Sequence, residues 1–202
     1  MRLKYYIIIF LLIGIQTIPA GAQDKSDSNL TREYQIKAAF VYNFIKFVDW
    51  PEKKAGDQNE PVIIGIIGKD PFGDSFGPIT GKQIKGKKSL VVRFEGFEQL
   101  KKSGEADKSV ESLRKCHLLF ISSSEKENMK DIIQCVKKYN VLTVGDIPNM
   151  LEAGGIINFL VKENKVHFEI NLIAAKQANL RIRSQLLRLA TKVIDENNQT
   201  EK

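Results

Sequence analysis

Two short uncharged runs, Val62 to Gly68 (VIIGIIG) and His117 to Ile121 (HLLFI, apolar after its histidine), limit most strongly what this chain can fold into. Each has the length of a strand and is too short for a buried helix. A strand that is apolar at every position is covered on both faces, which is the habit of parallel sheets. Ser89–Phe94 and Val141–Val144 read as two further strands, the last ended by Gly145-Asp146. Between strands the period changes to that of helices. Ser124-Glu125-Lys126-Glu127 has the form of a capping box, opening a helix to about Tyr139 with Met129, Ile132, Ile133 and Val136 as its inner stripe. Alternation of this kind predicts a mostly parallel sheet with helices on both faces. Ile156–Val161 and Val166–Ile170, joined at Glu163-Asn164, predict an antiparallel edge hairpin. The expected architecture is therefore α/β, a single three-layer domain.

Two long helices frame that body in the sequence. Thr31 is placed to cap the first, in which Ile36, Phe40, Phe44, Phe47 and Val48 recur at helical spacing until Pro51 stops it. Arg32, Gln35 and Lys46 fall on its polar face. Asn171 is placed to cap the second, which the spacing of Ile173, Ala175, Leu180, Leu186, Leu187, Leu189, Ala190 and Val193 extends to about Glu196. Asp70-Pro71 has the form of an N-cap followed by proline in the first turn. Asp24–Asn29, Ala55–Glu60 and Gly104–Lys108 read as a loose leader and two polar connectors, and the chain from Asn197 on as a frayed end.

The N-terminus sets the compartment. Arg2 and Lys4 precede an uncharged run from Tyr5 to Ile18; Pro19 breaks it, and Ala20-Gly21-Ala22 offers the small-x-small pattern of a cleavage site. That order is a secretory signal peptide, residues 1–22, cleaved after Ala22. The rival, an uncleaved anchor, is disfavoured because the run is shorter than the roughly 20 residues of a membrane span. Residues 23–202 then form one domain in the periplasm, and the net charge falls from +7 to +5. The basic run Lys82, Lys85, Lys87, Lys88 and the later Arg181, Arg183, Arg188 and Lys192 read first as solvated surface, with an anionic membrane or acidic partner as the alternative. Export and the lack of a nucleic-acid motif exclude nucleic acid as a partner.

No catalytic set is readable. His117 and His167 both fall in strands, as hydrogen-bonded core histidines do. No spacing of metal ligands and no nucleophile elbow occurs, and Gly65, Gly68 and Gly73 lack the dinucleotide fingerprint. No enzyme, cofactor or metal is expected. Open parallel sheets bind ligands beyond the carboxyl ends of their strands. There the sequence places Asp70, Ser122, Ser123 and Asp146, with Gly154 and Gly155 beside a strand. Plain caps and turns explain the same residue types.

Five blocks, in order, resemble the YfiR-like family of periplasmic regulators: EYQIKAAFVYNFIKFVDWP (Glu33–Pro51), IIGKDPFG (Ile66–Gly73), CHLLFIS (Cys116–Ser122), LTVGD with GGIINF (Leu142–Asp146, Gly154–Phe159), and FEINLIAAKQANLRIRSQLLRLA (Phe168–Ala190). The resemblance implies a non-catalytic α/β protein. It implies binding to the periplasmic part of an inner-membrane receptor, a diguanylate cyclase, whose restraint lowers cyclic di-GMP and biofilm growth. Tyr34, Tyr42 and Trp50 of the first helix are candidates for that contact, with core packing as the alternative. A small-ligand sensor acting on another receptor is the second class of function, and an exported enzyme the third. A two-fold homodimer is the default assembly for such a regulator. Related regulators tie control to cysteine oxidation, and an oxidising compartment permits a Cys116–Cys135 disulfide. The strand and helix between them return to the same level, while Cys135 sits on the flank of its helix, so the bridge stays open on sequence grounds.

Overall fold

A computed structural model describes residues 21–55, 60–102 and 106–196. Residues 1–20 of the leader expected over 1–22, the centre of the first connector, the start of the second and the chain from 197 on lie outside the described residues. Helix α1 (Gly21–Phe47) is followed by strand β1 (Val48–Asp49) and a single turn, α2 (Glu52–Ala55). The sheet is laid down by β2 (Val62–Ile67), β3 (Gln83–Ile84), β4 (Lys87–Phe94), β5 (Leu118–Ile121), β6 (Leu142–Gly145), β7 (Ile157–Lys162) and β8 (Lys165–Asn171). Helices α3 (Phe97–Lys102), α4 (Ala106–Lys115) and α5 (Met129–Val136) fall between these strands. The chain closes with α6 (Leu172–Gln177), β9 (Arg181–Ile182), α7 (Ser184–Leu187) and β10 (Lys192–Ile194).

The eight-stranded sheet has the order β10-β8-β7-β6-β5-β2-β4-β3. Its centre, β4-β2-β5-β6-β7, is parallel. The hairpin partner β8 runs antiparallel to β7 and parallel to β10, and the short β3 runs antiparallel to β4. The expected class holds: a mostly parallel α/β sheet, helices on both faces and an antiparallel edge. The hairpin turn is Glu163-Asn164, at φ 52° and 58°, which matches the twist of its strands.

Alternation along the central strands separates two cores. Ile64, Ile66, Leu118, Phe120, Leu142 and Val144 face α1, α6 and the 72–84 segment. Ile67, Leu119 and Ile121 face α3, α4 and α5. Aromatic contacts knit the first core, where the Phe44 ring lies 5.0 Å from Phe168 and 5.5 Å from Phe159. The second core depends on close approach at Gly65, where a Cβ would stand 2.7 Å from the Cys116 sulfur.

Four local expectations are corrected. Helix α1 begins at Gly21, so Thr31 is inside it and Asp24–Asn29 is helical, because no breaker separates the polar stretch from the amphipathic one. The helix is also turned relative to the expected stripe: Ile36 is 39% exposed, whereas Tyr34, Lys37 and Ala38 are buried. The second long helix is cut short. Asn171 caps it as expected, its Oδ1 accepting from Ala174 N at 2.9 Å, but Asn179 at φ 53° ends it. The rest of that segment pairs elsewhere, β9 with β1 and β10 with β8. Finally, the capping box at Ser124–Glu127 does not form. Ser122 caps a short 3-10 turn, Glu125 turns inward, and α5 starts at Met129.

Candidate functional site

The strand order places the topological switch point between β2 and β5, where doubly wound sheets of this order open a crevice for ligands. Here that crevice is stitched shut. Ser122 Oγ donates to Lys69 O at 2.7 Å, and Lys69 N donates to Ser124 Oγ at 2.9 Å. Glu125, 5% exposed, fills the space beneath, its Oε2 accepting from Phe97 N and Asn128 Nδ2, both at 3.1 Å. The plug presses so closely on Gly68, at φ 89°, that a Cβ there would stand 2.5 Å from Ser124 Oγ. Asp70 is likewise committed, accepting from Phe72 N at 2.7 Å and pairing with Arg93 at 2.6 Å. Gly154 and Gly155 lie away from the strand ends that open to solvent, packed toward Ile133 and Met150.

The open site is displaced to the next gap, beyond the ends of β6 and β7. A cavity of about 290 Å³ is lined there by Glu33, Tyr34 and Lys37 of α1, by Ser123 and Asp146 at the strand ends, and by Phe159, Leu160 and Val161 of β7. Of the six residues that sequence reasoning placed at a ligand site, the structure brings together two, Ser123 and Asp146. Lys37 Nζ donates to Asp146 Oδ2 at 2.7 Å and pairs with Glu33 Oε1 at 2.6 Å, with its side chain only 3% exposed. Tyr34 OH donates to the same Asp146 oxygen at 2.8 Å. Burial, and then the adjacent carboxylate, hold the Tyr34 phenol well above its ordinary range. Asp146 Oδ1 is buried with no hydrogen-bond partner. Sequence reasoning missed Glu33 and Lys37. The available signal was their i,i+4 spacing beside Tyr34, a charge pair on the face that carries Ala38 and Val41.

Two wider clefts flank α1. One of about 880 Å³ separates it from the 71–82 segment and is lined by Leu30, Gln35, Tyr42, Phe72 and Ile79 among others. The other, about 670 Å³, lies against the β7–β8 hairpin and is lined by Ile36, Phe40, Val161 and Val166 among others. Of the three aromatics proposed for contact, Tyr34 is buried, and Trp50 is engaged through Nε1 to Asn140 O at 3.0 Å and an edge contact with His117. Tyr42 remains half-buried in the larger cleft.

His117 and Asp49 are engaged within the fold, away from this pocket. His117 accepts from Ile63 N through Nδ1 at 3.1 Å, and burial pushes its pKa down to about 4. Asp49 ties three segments together at the far end of α1. It receives Arg183 in a two-pronged contact, 2.7 Å at the shortest, Lys85 at 3.0 Å and Arg181 at 3.4 Å. The Arg183 hydrogen bonds hold its carboxyl well below the usual range. Cys116 and Cys135 are both free thiols, and no bridge joins them in the structure. Burial pushes the Cys116 thiol up to about 12, which removes its nucleophilic character. Among the described residues no group of three metal-ligating side chains gathers, and no helix is long and apolar enough to cross a membrane.

The protein is thus a doubly wound α/β body with a plugged switch point and a small acid–lysine pocket beside it. The chain belongs to the YfiR/HmsC-like family, whose profile matches residues 34–191. That family is one of periplasmic regulators of the diguanylate cyclase pathway. Two solved structures share the fold. One is a conserved domain protein from Vibrio cholerae, 12% identical with a TM-score of 0.52. The other is the ABC domain in complex with L-Trp from Streptococcus pneumonia, 10% identical with a TM-score of 0.54. Each match covers 80% of this chain, which spans 60% of the matched chain. Identities this low speak for the fold alone. No curated protein matches the sequence.

Proposed function

We propose that this protein is exported by the leader over residues 1–22 and then docks on the periplasmic part of an inner-membrane diguanylate cyclase, restraining it without catalysis of its own. The observation that carries this reading is the family match over residues 34–191, which takes in every central strand and both cores. The exposed side of α1 supports a docking role, since Leu30 and Ile36 are 53% and 39% exposed beside the two wide clefts. Crosslinking in the native host, followed by capture of the tagged protein, is the test. The expected catch is a transmembrane protein with a cyclase domain, together with a mature N-terminus at Gln23. Recovery from the cytosol with Met1 retained would end the proposal.

A second reading, a small-ligand sensor, is favoured by the pocket at the ends of β6 and β7 and by the L-Trp bound in one protein of similar fold. The two readings combine if ligand and receptor prefer different states of the protein. Deletion of the gene separates the regulatory reading from a pure solute carrier, because only the former predicts a rise in cyclic di-GMP.

A further inference from the structure

The amino ends of the parallel strands form one pole of the molecule, and that pole is basic and aromatic. The ladder sets Val62 beside Ser89, and Ile64 beside Leu118, which in turn pairs with Leu142, so the amino ends of β4, β2, β5 and β6 lie level. Basic pairs stand at three of these ends: Lys87-Lys88 opening β4, Arg114-Lys115 before β5 and Lys137-Lys138 before β6. The Asp49 clamp joins the same pole. Lys85, one of its cations, lies 5.5 Å from the Trp50 ring centre, and Trp50 Nε1 donates to Asn140 O just before β6. Through Asp49 the clamp adds Arg181, 83% exposed, and Arg183. Two basic runs far apart in the chain are thus made one surface. The carboxylates of this pole, among the described residues, are fewer: Asp49, enclosed by its three cations, Glu52, Glu60, and Glu111, 3.8 Å from Arg114. At the opposite pole cations are answered one by one, Lys37 by Glu33 and Asp146, and Arg93 by Asp70.

Helix dipoles account for Arg114 and Lys115 in the last turn of α4 and for Lys137 after α5. They do not account for Lys88 and Arg181, which sit on strands. Adjacent strands are spaced about 4.8 Å apart, so the charges from β4 to β6 spread over about 14 Å, too wide for one phosphate or carboxylate to answer. None of the three clefts described above is lined by Lys88, Lys115 or Lys138. A row of long, exposed lysines without a cavity suits an extended fluid anion better than a shaped acidic partner. Tyr139, 40% exposed with the Arg114 guanidinium 4.4 Å from its ring centre, and the half-buried Trp50 add the aromatics that belong at a lipid–water boundary. We propose that this pole seats the protein on the surface of an anionic phospholipid bilayer. Lysine and arginine heads meet the lipid phosphates there, and α1 stands with its C-terminal end toward the lipid, its flanking clefts above the surface. No receptor enters this proposal, so it stands or falls separately from the regulatory reading.

The test uses the purified mature chain with vesicles of phosphatidylcholine alone or mixed with phosphatidylglycerol, at low ionic strength. Co-sedimentation is expected with the mixed vesicles only, and molar salt should abolish it. Trp50 is the chain's single tryptophan and lies within the pole, so its emission should transfer to dansyl-labelled lipid headgroups when the mixed vesicles bind. Lys88→Gln, Lys115→Gln and Lys138→Gln, at exposed positions, are each expected to weaken binding about fivefold, and the triple variant about a hundredfold. Lys162→Gln, equally exposed on the hairpin at the other pole, should leave binding unchanged. Soluble polyglutamate is run in parallel, and tighter binding to it than to the mixed vesicles would assign the pole to an acidic protein and overturn the proposal. Equal binding to both kinds of vesicle, undiminished binding in the triple variant, or as large a loss in Lys162→Gln as in Lys115→Gln would overturn it as well.

Discussion

Two ionic clusters hold helix α1, one just beyond its C-terminal end and one at its middle, and they are built on opposite principles. At its C-terminal end Asp49 sits near the surface and has every oxygen occupied, by the Arg183 fork, by Lys85 and by Arg181. At its middle, Lys37 is enclosed and Asp146 has one oxygen occupied twice and the other not at all. Water can replace any partner lost from the first cluster. It cannot readily do so in the second, where a lone charge would remain in a medium of low polarity. The exposed cluster therefore works as a clamp of small net value, and the buried one as a point on which the seating of α1 depends.

The largest effect should come from breaking the buried pair on one side only. Lys37→Met leaves Asp146 without its counter-charge and is expected to cost about 3–5 kcal/mol in urea unfolding. The double substitution Lys37→Met with Asp146→Leu should recover most of that loss, because no isolated charge remains. A double variant as unstable as the single one would show that packing, not charge, sets the cost.

His117 extends the comparison to a buried group that has no counter-charge at all. Its folded pKa of about 4 lies below the ordinary 6.5, so the unfolded chain binds the proton more readily. Stability is then expected to be fully present above pH 6.5 and to be lost as pH falls toward 4, by about 3 kcal/mol in total. His117→Gln should flatten that part of the pH profile. A wild-type profile already flat between pH 7 and 4 would contradict the burial of a neutral imidazole.

Asp49 should respond far less. Asp49→Asn is expected to cost no more than about 1 kcal/mol at low ionic strength, and molar salt should shrink the difference further. Because its folded pKa is lowered, the contribution of Asp49 is present above the ordinary value of 3.8 and lost as pH falls below it. A salt-insensitive cost would make the clamp more like its buried counterpart than the geometry allows. The smallest expected effect is that of reductant. With Cys116 and Cys135 as free thiols, denatured protein should titrate two thiols, and dithiothreitol should leave unfolding unchanged.

The same contrast explains what was legible in the sequence. The central strands announce themselves, since Val62–Ile67 and Leu118–Ile121 are apolar on both faces and nothing but a covered sheet accepts that. The hairpin at Glu163-Asn164 is equally local. The turn of α1 about its axis was not legible. Burying Lys37 in place of Ile36 rotates the helix by roughly one residue, about 100°. The reason lies in Asp146, 109 positions away. The final helix failed for a related cause: Leu180, Leu186 and Leu187 keep a helical period, but Arg181 and Ile182 find their partners in β1. Ser123 and Asp146 were reachable by topology, as residues after parallel strands. Asp70 and Ser122 met the same criterion and turned out to be bonded within the fold, which no pattern in the chain records.

The sheet's margins carry a consequence for life among crowded neighbours. β3 has two residues and β10 three, far short of the six-residue strands beside the centre. Lys82, Lys85, Lys87 and Lys88 crowd the first margin, and Lys192 begins the second. A foreign strand seeking to extend the ladder meets few free amides and a row of like charges. Growth from molecule to molecule into fibrils is thereby discouraged at both borders, even if the protein lingers at high concentration.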